Sequence, residues 1–333
     1  MKEWQKLILI LTLFKLLIFI CANFNIENLA NRWDAEIFQN IAMKGYYEEY
    51  FYAFSPIYPY LIKGLSLIID PKISAIIITN FFSYITPILI WKLHGYKTAL
   101  LFQTFPLYVI FTTVPYSDII SIFSIILSYY LAKTQKNWLA SLSLSVAIAS
   151  RYMLALGLIA FLPKFKLRQF ILPIIALSLI GFWYYINLGS PFAYFYLERK
   201  YWDVSIVTPY DQALWILNGW FTSQDWEFMG IRVTPEVWLI RNIIMEIFYL
   251  IGLFYIYKID KSYFMYSLCI ILPLFFVKGT VAISIPRLLL QAFPIFLSYS
   301  NIIKTNLGLI IYIGISIILI PIITLWHIQA FFS

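Results

Sequence analysis

Asn306-Leu307-Gly308-Leu309-Ile310-Ile311-Tyr312-Ile313-Gly314-Ile315-Ser316-Ile317-Ile318-Leu319-Ile320-Pro321-Ile322-Ile323-Thr324-Leu325-Trp326 is the stretch that decides the fold. It holds no Asp, Glu, Lys or Arg. At about 1.5 Å per residue, a helix of this length reaches across the ~30 Å hydrocarbon core of a bilayer. Runs of the same kind recur at 7–23, 74–93, 98–114, 118–132, 169–188, 237–257, 262–278 and 286–301. Hydrocarbon offers the backbone no hydrogen-bond partners, so helices are the predicted form, and the alternation of a β-barrel is absent. The composition agrees: 62% of the chain is hydrophobic and 12% is charged, against roughly 25% charged in an ordinary soluble domain. The predicted fold is all-α, a polytopic membrane protein of about 9–11 transmembrane helices in one domain over 1–333.

Charge sets the orientation. Lys92 and Lys97, Lys133 and Lys136, Lys164, Lys166 and Arg168, Lys258 and Lys261, and Lys304 all fall in short turns between apolar runs. The positive-inside rule assigns these turns to the cytoplasm. Parity then requires 137–163 to enter and return on one side, so a pair of short helices broken around Arg151 is predicted. Leu7–Ala22 follows Lys2 and Lys6 and is not followed by a small-residue cleavage pattern, which predicts a retained signal anchor. The net charge of +8 belongs to these topological turns. With no basic face on a soluble domain, nucleic acid is not an expected partner. Cys21 and Cys269 are far apart, and His94 and His327 sit at helix ends, so neither a metal site nor a disulfide framework is expected.

Two loops remain for the non-cytoplasmic face, 24–72 and 189–236, both far longer than the usual connection of about 4–6 residues. Their aromatic content argues against disorder. The first carries six acids and four bases in an otherwise basic chain. Within it, Trp33, Ile37 and Ile41 recur at helical spacing, predicting a short amphipathic helix with Asn31 as N-cap, Gly45 as its stop and that face on the membrane. Asp34 falls in its first turn, where the helix dipole favours a carboxylate. The plain reading of Asp34 is a helix cap or an ion pair with Arg32. Pro56 and Pro59 then turn the chain back toward the membrane, and 56–69 is apolar but short, an interfacial or re-entrant segment.

One resemblance takes the reading further. Trp33-Asp34-Ala35-Glu36, Ile41-Ala42, Gly45-Tyr46, Ala53-Phe54 and Pro56-Ile57-Tyr58-Pro59 resemble the first luminal loop of the PIG-V-like membrane mannosyltransferases of glycosylphosphatidylinositol synthesis. That pattern runs W-D-A-x-x-[FY]-x-x-I-A-x-x-G-Y, then A-F-F-P-x-[FY]-P. Ser55 replaces the second phenylalanine, and Ile37 stands where histidine is common, so no role for that histidine carries over. Pro115-Tyr116-Ser117-Asp118, Ala149-Ser150-Arg151-Tyr152 and Ser284-Ile285-Pro286-Arg287 resemble later blocks of the family more weakly.

The resemblance implies a GT-C glycosyltransferase that moves a hexose, mannose in the family, from a polyprenyl-phosphate sugar to a lipid- or protein-linked glycan. Asp34 would be the general base in an inverting transfer on the non-cytoplasmic face of a cell or ER-type membrane. The leaving phosphate needs cationic donors. Arg287 is the first candidate, Arg151 the second and Arg199 with Lys200 the alternatives. Arg151 has an equally plain reading as a buried charge paired with Asp118. Trp33, Glu36, Tyr46, Tyr58 and Asp118 are candidate substrate contacts, although aromatic residues here also suit an interfacial belt. The donor lacks a nucleotide diphosphate, so no metal or other cofactor is expected. Expected partners are the polyprenyl-phosphate sugar, a glycan or glycolipid acceptor, membrane lipids and, in some assemblies, a small membrane subunit. The competing readings are a lipid or sugar transporter or flippase, and a non-catalytic subunit of a glycosylation complex. An inverted-repeat transporter would show paired Gly/Pro-broken helices in its two halves, and none is evident.

Overall fold

The computed structural model describes residues 1–221, 226–228, 231–233, 235–279 and 284–329, with side chains described outside 216–241, 326 and 329. Residues 222–225, 229–230 and 234 of the long 189–236 loop therefore lie outside the described residues. The helices are α1 (Glu3–Cys21), α2 (Ile26–Ala30), α3 (Asp34–Lys44), α4 (Ile57–Leu65), α5 (Pro71–His94), α6 (Tyr96–Gln103), α7 (Pro106–Phe111), α8 (Asp118–Lys133), α9 (Asn137–Ser150), α10 (Ile171–Leu188), α11 (Ala193–Trp202), α12 (Pro209–Phe221), α13 (Pro235–Ile259), α14 (Lys261–Ile271), α15 (Ile285–Leu289), α16 (Ile295–Ile302) and α17 (Asn306–Gln329). Two short antiparallel pairs accompany them, Ser205–Ile206 with Val277–Lys278 and Trp226–Phe228 with Ile231–Val233.

Among the described residues, five helices are long and apolar enough to cross a membrane: Glu3–Cys21, Pro71–His94, Leu167–Leu188, Asn242–Ile259 and Asn306–Leu325. They turn large apolar side chains outward, among them Leu13, Leu179, Phe254 and Ile318, a surface too greasy for water. Four other predicted spans form shorter or broken helices. The 98–114 run is split between α6 and α7 at Pro106, and 118–132 is the sixteen-residue α8. The 262–278 run ends as a helix at Ile271 and continues as a 3-10 turn through Pro273, while 286–301 is broken between α15 and α16 before Pro294. Residues 262–278 are partly buried, with Leu272 48% exposed, whereas residues 98–132 and 284–296 are buried almost without interruption. Their apolarity reports a protein core. Proline removes a backbone donor, and such breaks are tolerated at membrane depth when protein surrounds them.

Inside the bundle, small and hydroxylated side chains bring backbones together. Ser128 donates to the Ala140 carbonyl at 2.7 Å and Ser143 to that of Ser124 at 2.8 Å, binding α8 to α9 as an antiparallel hairpin. The predicted break around Arg151 is present: α9 stops at Ser150, Arg151 is extended with φ −145°, and a 3-10 segment runs Tyr152–Phe161. The hairpin thereby returns Arg151 to the end of the bundle where α8 begins. A buried cation holds α1 in place. Lys15 donates to Asn80 Oδ1 at 2.6 Å, Ser83 Oγ at 2.7 Å and the Thr112 carbonyl at 2.6 Å, one acceptor for each ammonium proton.

The basic turns gather at one end. Lys133 Nζ donates to the Leu93 carbonyl at 2.9 Å, Lys97 to that of Ile303, and Lys164 lies 5.6 Å over both Tyr129 and Tyr263. Asp118 starts α8 and Lys133 ends it, so the two ends lie about 22 Å apart at 1.5 Å per residue.

Candidate functional site

The site begins where α3 begins. Asn25 caps α2, its Oδ1 accepting from the Glu27 amide at 2.9 Å, and α2 ends at Ala30. Asn31 closes α2 and is not the N-cap of α3, which corrects the sequence expectation. Trp33 holds that place with φ +53° and ψ −133°, a conformation that L side chains rarely adopt and that costs about 1–3 kcal/mol. Gln39 fixes the short α2–α3 corner by donating to the Ala30 carbonyl at 2.6 Å and the Ala35 carbonyl at 2.9 Å. The buried face of α3 is Ala35, Phe38, Gln39, Ile41 and Ala42, rotated from the expected Trp33–Ile37–Ile41 stripe. Phe38 sets the rotation by packing edge-on against Tyr58 at 5.1 Å and Phe54 at 5.4 Å. The helix lies on protein, and Asp34 in its first turn points at a partner from the far end of the chain.

That partner is Arg287 on α15. Its Nη1 donates to Asp34 Oδ2 at 2.6 Å, and its Nε lies 3.7 Å from Asp118 Oδ2. Asp118 in turn meets Arg151 Nη2 at 2.6 Å. Four residues spread over the whole sequence thus form one chain of alternating charge, Asp34–Arg287–Asp118–Arg151, with no net charge. Beneath it, the Arg287 guanidinium sits 5.0 Å over the ring of Tyr116 and 6.0 Å over that of Phe111. Access is graded: the Asp118 side chain is 1% exposed and that of Arg287 7%, whereas Asp34 and Arg151 keep 19% and 21%. The cluster opens outward at its two ends.

The contacts of Asp118 are ionic and lie off hydrogen-bond alignment. Both its carboxylate oxygens, Arg151 Nε and Nη2, Arg287 Nε, the Tyr116 hydroxyl and Ser150 Oγ are buried without a hydrogen bond. Interiors rarely tolerate such a concentration of unused donors and acceptors. Here they flank exposed charge, an arrangement suited to binding a polar ligand. The guanidinium groups can grip an anion while Asp34 accepts a proton from a hydroxyl.

The second long loop closes over this end. Ala193 and Leu197 of α11 are buried against Tyr184, and Tyr194 packs edge-on against Tyr152, beside Arg151, at 5.0 Å. Tyr201 donates to Glu49 Oε2 at 2.5 Å, Lys200 pairs with the same carboxylate, and Tyr184 donates to the Tyr52 carbonyl at 2.8 Å. The Lys200 bond holds Glu49 below the usual carboxylate range. On the same helix, burial pushes Glu198 up to about 7, against the pull of Tyr194 and Arg151, with Asp34 and Arg287 also in electrostatic reach.

The remaining sequence candidates are spread around this geometry. Trp33 is half-buried beside Asp34, while Glu36 and Arg199 are exposed. Lys200 is held by Glu49 and, like Arg199, does not join the cluster. Tyr46 donates to the Phe54 carbonyl at 2.9 Å and packs with Tyr52 at 4.9 Å and Trp183 at 5.0 Å, part of an aromatic layer between the loops. Tyr58 is a core residue: it is 1% exposed, bonded through its hydroxyl to the Ala75 carbonyl and Thr79. Glu198 was hidden in the sequence within a charged Glu-Arg-Lys run. The signal that could have found it is helical spacing, since Tyr194 and Glu198 at i, i+4 share one face beside the buried Leu197. Among the described residues, no group of three or more His, Cys, Asp or Glu gathers as a metal site.

No family model, curated protein or solved structure matches this chain.

Proposed function

We propose that this chain is an inverting membrane glycosyltransferase of GT-C type that moves a hexose, mannose by resemblance, from a polyprenyl-phosphate sugar to a lipid- or protein-linked glycan. One observation carries the reading. The four sequence blocks that resemble the PIG-V-like family each supply one charged side chain, Asp34, Asp118, Arg151 and Arg287, to a single cluster. Motifs separated by up to 253 residues have no local reason to meet. A shared site gives them one.

In this reading Asp34 is the general base. It takes the proton of an acceptor hydroxyl as that oxygen attacks the anomeric carbon, and the bond from that carbon to the phosphate oxygen breaks on the opposite face. Arg287 holds Asp34 in place beforehand and presents its guanidinium to the phosphate, with Arg151 on the far side of Asp118. The basic turns at the other end of the bundle support a non-cytoplasmic placement of the cluster. The short and broken segments buried behind the five long helices would complete the larger set of crossings expected of a GT-C fold. Lys15 bears on the transporter alternative: its three fixed acceptors make it a lock between helices, whereas a transport site needs a group that changes partners.

The test is transfer by the purified protein from a panel of radiolabelled polyprenyl-phosphate hexoses to membrane lipid extracts, followed by product analysis. Asp34→Asn should cut turnover by about 10²–10⁴-fold while donor binding persists. If the wild-type chain transfers no hexose from any donor of this class, the proposal fails. If Asp34→Asn retains wild-type turnover, the assignment of the base fails.

A further inference from the structure

We propose that the outward face of α11 is a membrane-surface site: Phe192, Phe195 and Tyr196 enter the headgroup and acyl boundary of the leaflet beside the charged cluster, and Arg199 holds a phospholipid phosphate there. The proposal takes α10 as a span and is independent of the glycosyl-transfer reading.

The argument starts from the chain. α10 ends at Leu188, Gly189 closes it in the left-handed region with φ +74°, and α11 begins at Ala193. Leu167–Leu188, which contains α10, is the least buried of the candidate spans among the described residues. The steps from Leu188 to Ala193 reach at most about 18 Å. Ala193 and Leu197 close that distance by packing on Tyr184, one turn before the end of α10. α11 is therefore fastened at the level where the span leaves the hydrocarbon.

Helical spacing divides α11 into two faces. Ala193, Leu197 and Tyr201, at i, i+4 and i+8, meet protein: the first two are buried, and Tyr201 donates to Glu49 Oε2 at 2.5 Å. Tyr194 beside them packs edge-on against Tyr152 at 5.0 Å. Phe192, Phe195, Tyr196 and Arg199, at i, i+3, i+4 and i+7, form the opposite stripe. Phe192 is 70% exposed, Phe195 68% and Tyr196 55%, and Arg199 is exposed with them. Adjoining aromatic rings turned outward in this way are costly in water and mark a surface that is covered. The same pattern stands on the last turns of α10, where Phe182, Tyr185 and Ile186 are exposed. Those side chains face lipid along the span, so the apolar surface of α10 runs on to α11, and lipid is the occupant that covers both.

The residue types select the depth. Aromatic side chains collect at the membrane interface, and an arginine one turn beyond Tyr196 can grip a phosphate through paired N–H donors. Lys200, at the edge of the stripe, lies 5.4 Å over Tyr196 and is held by Glu49. Arg199 is thus the cation of this helix that meets the headgroups. With Tyr194 on the neighbour of Arg151 and the aromatic stripe on lipid, one helix thickness of about 10–12 Å separates the leaflet from the charged cluster.

The experiment is depth-dependent fluorescence quenching of the full-length chain in nanodiscs of phosphatidylcholine and phosphatidylglycerol. Cys21→Ala and Cys269→Ala leave a background in which Phe182→Cys, Phe195→Cys or Tyr196→Cys carries a single bimane label. Labels at 195 and 196 should be quenched by phospholipids with a nitroxide near the headgroup and shielded from aqueous iodide, at a depth of about 5–10 Å. The label at 182 should respond most to a nitroxide deep in the acyl chain. Adding Arg199→Gln should shift the stripe toward water about fivefold, read as renewed iodide quenching at 195. Should Phe195→Cys fold poorly, Tyr196→Cys carries the same readout. If the labels at 195 and 196 escape the lipid nitroxides while that at 182 does not, water or a protein partner covers the stripe and the proposal fails with the span intact. Iodide quenching at 182 without lipid quenching would overturn both the span and the proposal. Unchanged quenching in Arg199→Gln would overturn the phosphate contact.

Discussion

The two ends of the bundle use positive charge differently. At one end Lys133 and Lys97 donate hydrogen bonds to backbone carbonyls, Leu93 at the close of α5 and Ile303 after α16. Lys92, Lys164 and Lys258 rest over aromatic rings. Lys92, Lys133 and Lys258 finish helix C-termini, where the helix dipole favours a cation on a long flexible side chain. At the other end the cations of the cluster are arginines, and their partners are carboxylates from distant segments, one of them fully buried. Lysine at the first end is interchangeable because any donor can meet a carbonyl. Arginine at the second end is not, because each guanidinium is shared along a chain of charges. On the proposed function, the first set serves topology and the second serves chemistry.

The largest expected effect breaks the second set at its centre. Arg287→Met removes the group that touches both Asp34 and Asp118 and leaves two carboxylates with one remaining cation, Arg151, on the far side of Asp118. Breaking a buried pair from one side costs about 3–5 kcal/mol, so unfolding in detergent should move to markedly lower temperature and transfer should vanish. Arg287→Lys keeps the charge but reaches only one of the two acids, and it should fall between methionine and wild type in both measurements. A methionine variant as stable as wild type would mean that the cluster does not hold this end together.

An intermediate effect sharpens the comparison. Asp118 and Arg151 meet at 2.6 Å in a setting where neither Asp118 oxygen, nor Arg151 Nε or Nη2, makes an aligned hydrogen bond. Asp118→Asn and Arg151→Gln should each destabilise the protein, and the double variant should cost less than the sum of the two. The coupling energy from a double-mutant cycle in thermal or chemical unfolding should be about 0.5–3 kcal/mol. Additive behaviour would show that the two charges are neighbours without being partners.

How much of this was legible in the sequence follows the same division. Apolar runs, basic turns and the break at Arg151 could be read directly, because each is a local signal, whereas the four charged residues of the cluster were singled out through the family resemblance. Among the described residues five helices are long and apolar enough to cross, fewer than the apolar runs in the sequence, because a run such as 98–114 is equally apolar whether lipid or protein surrounds it. Its burial depends on neighbours far away in the chain. The same limit hid the face of α3, which is set by Phe38 meeting Tyr58 and Phe54. It also cast Tyr58 as a substrate contact when its hydroxyl is committed to Ala75 and Thr79. Lys15 and Glu198 went unread because a charge in a span and a charge in a loop acquire meaning only from their partners.

The smallest expected effect concerns the first end. Lys133→Ala removes one bond to the Leu93 carbonyl at a helix terminus where water or a neighbouring lysine can replace it. Such groups contribute about 0–1 kcal/mol, so the melting temperature should shift by a few degrees at most and transfer should stay at the wild-type rate. Replacing Lys92, Lys97, Lys133 and Lys136 together should instead disturb insertion, read as the accessibility of single cysteines placed in the two long loops, because orientation responds to the summed charge of the turns. If Lys133→Ala alone lowered transfer as far as a cluster variant does, the two ends would be coupled through α8, and the separation of topology from chemistry would not hold.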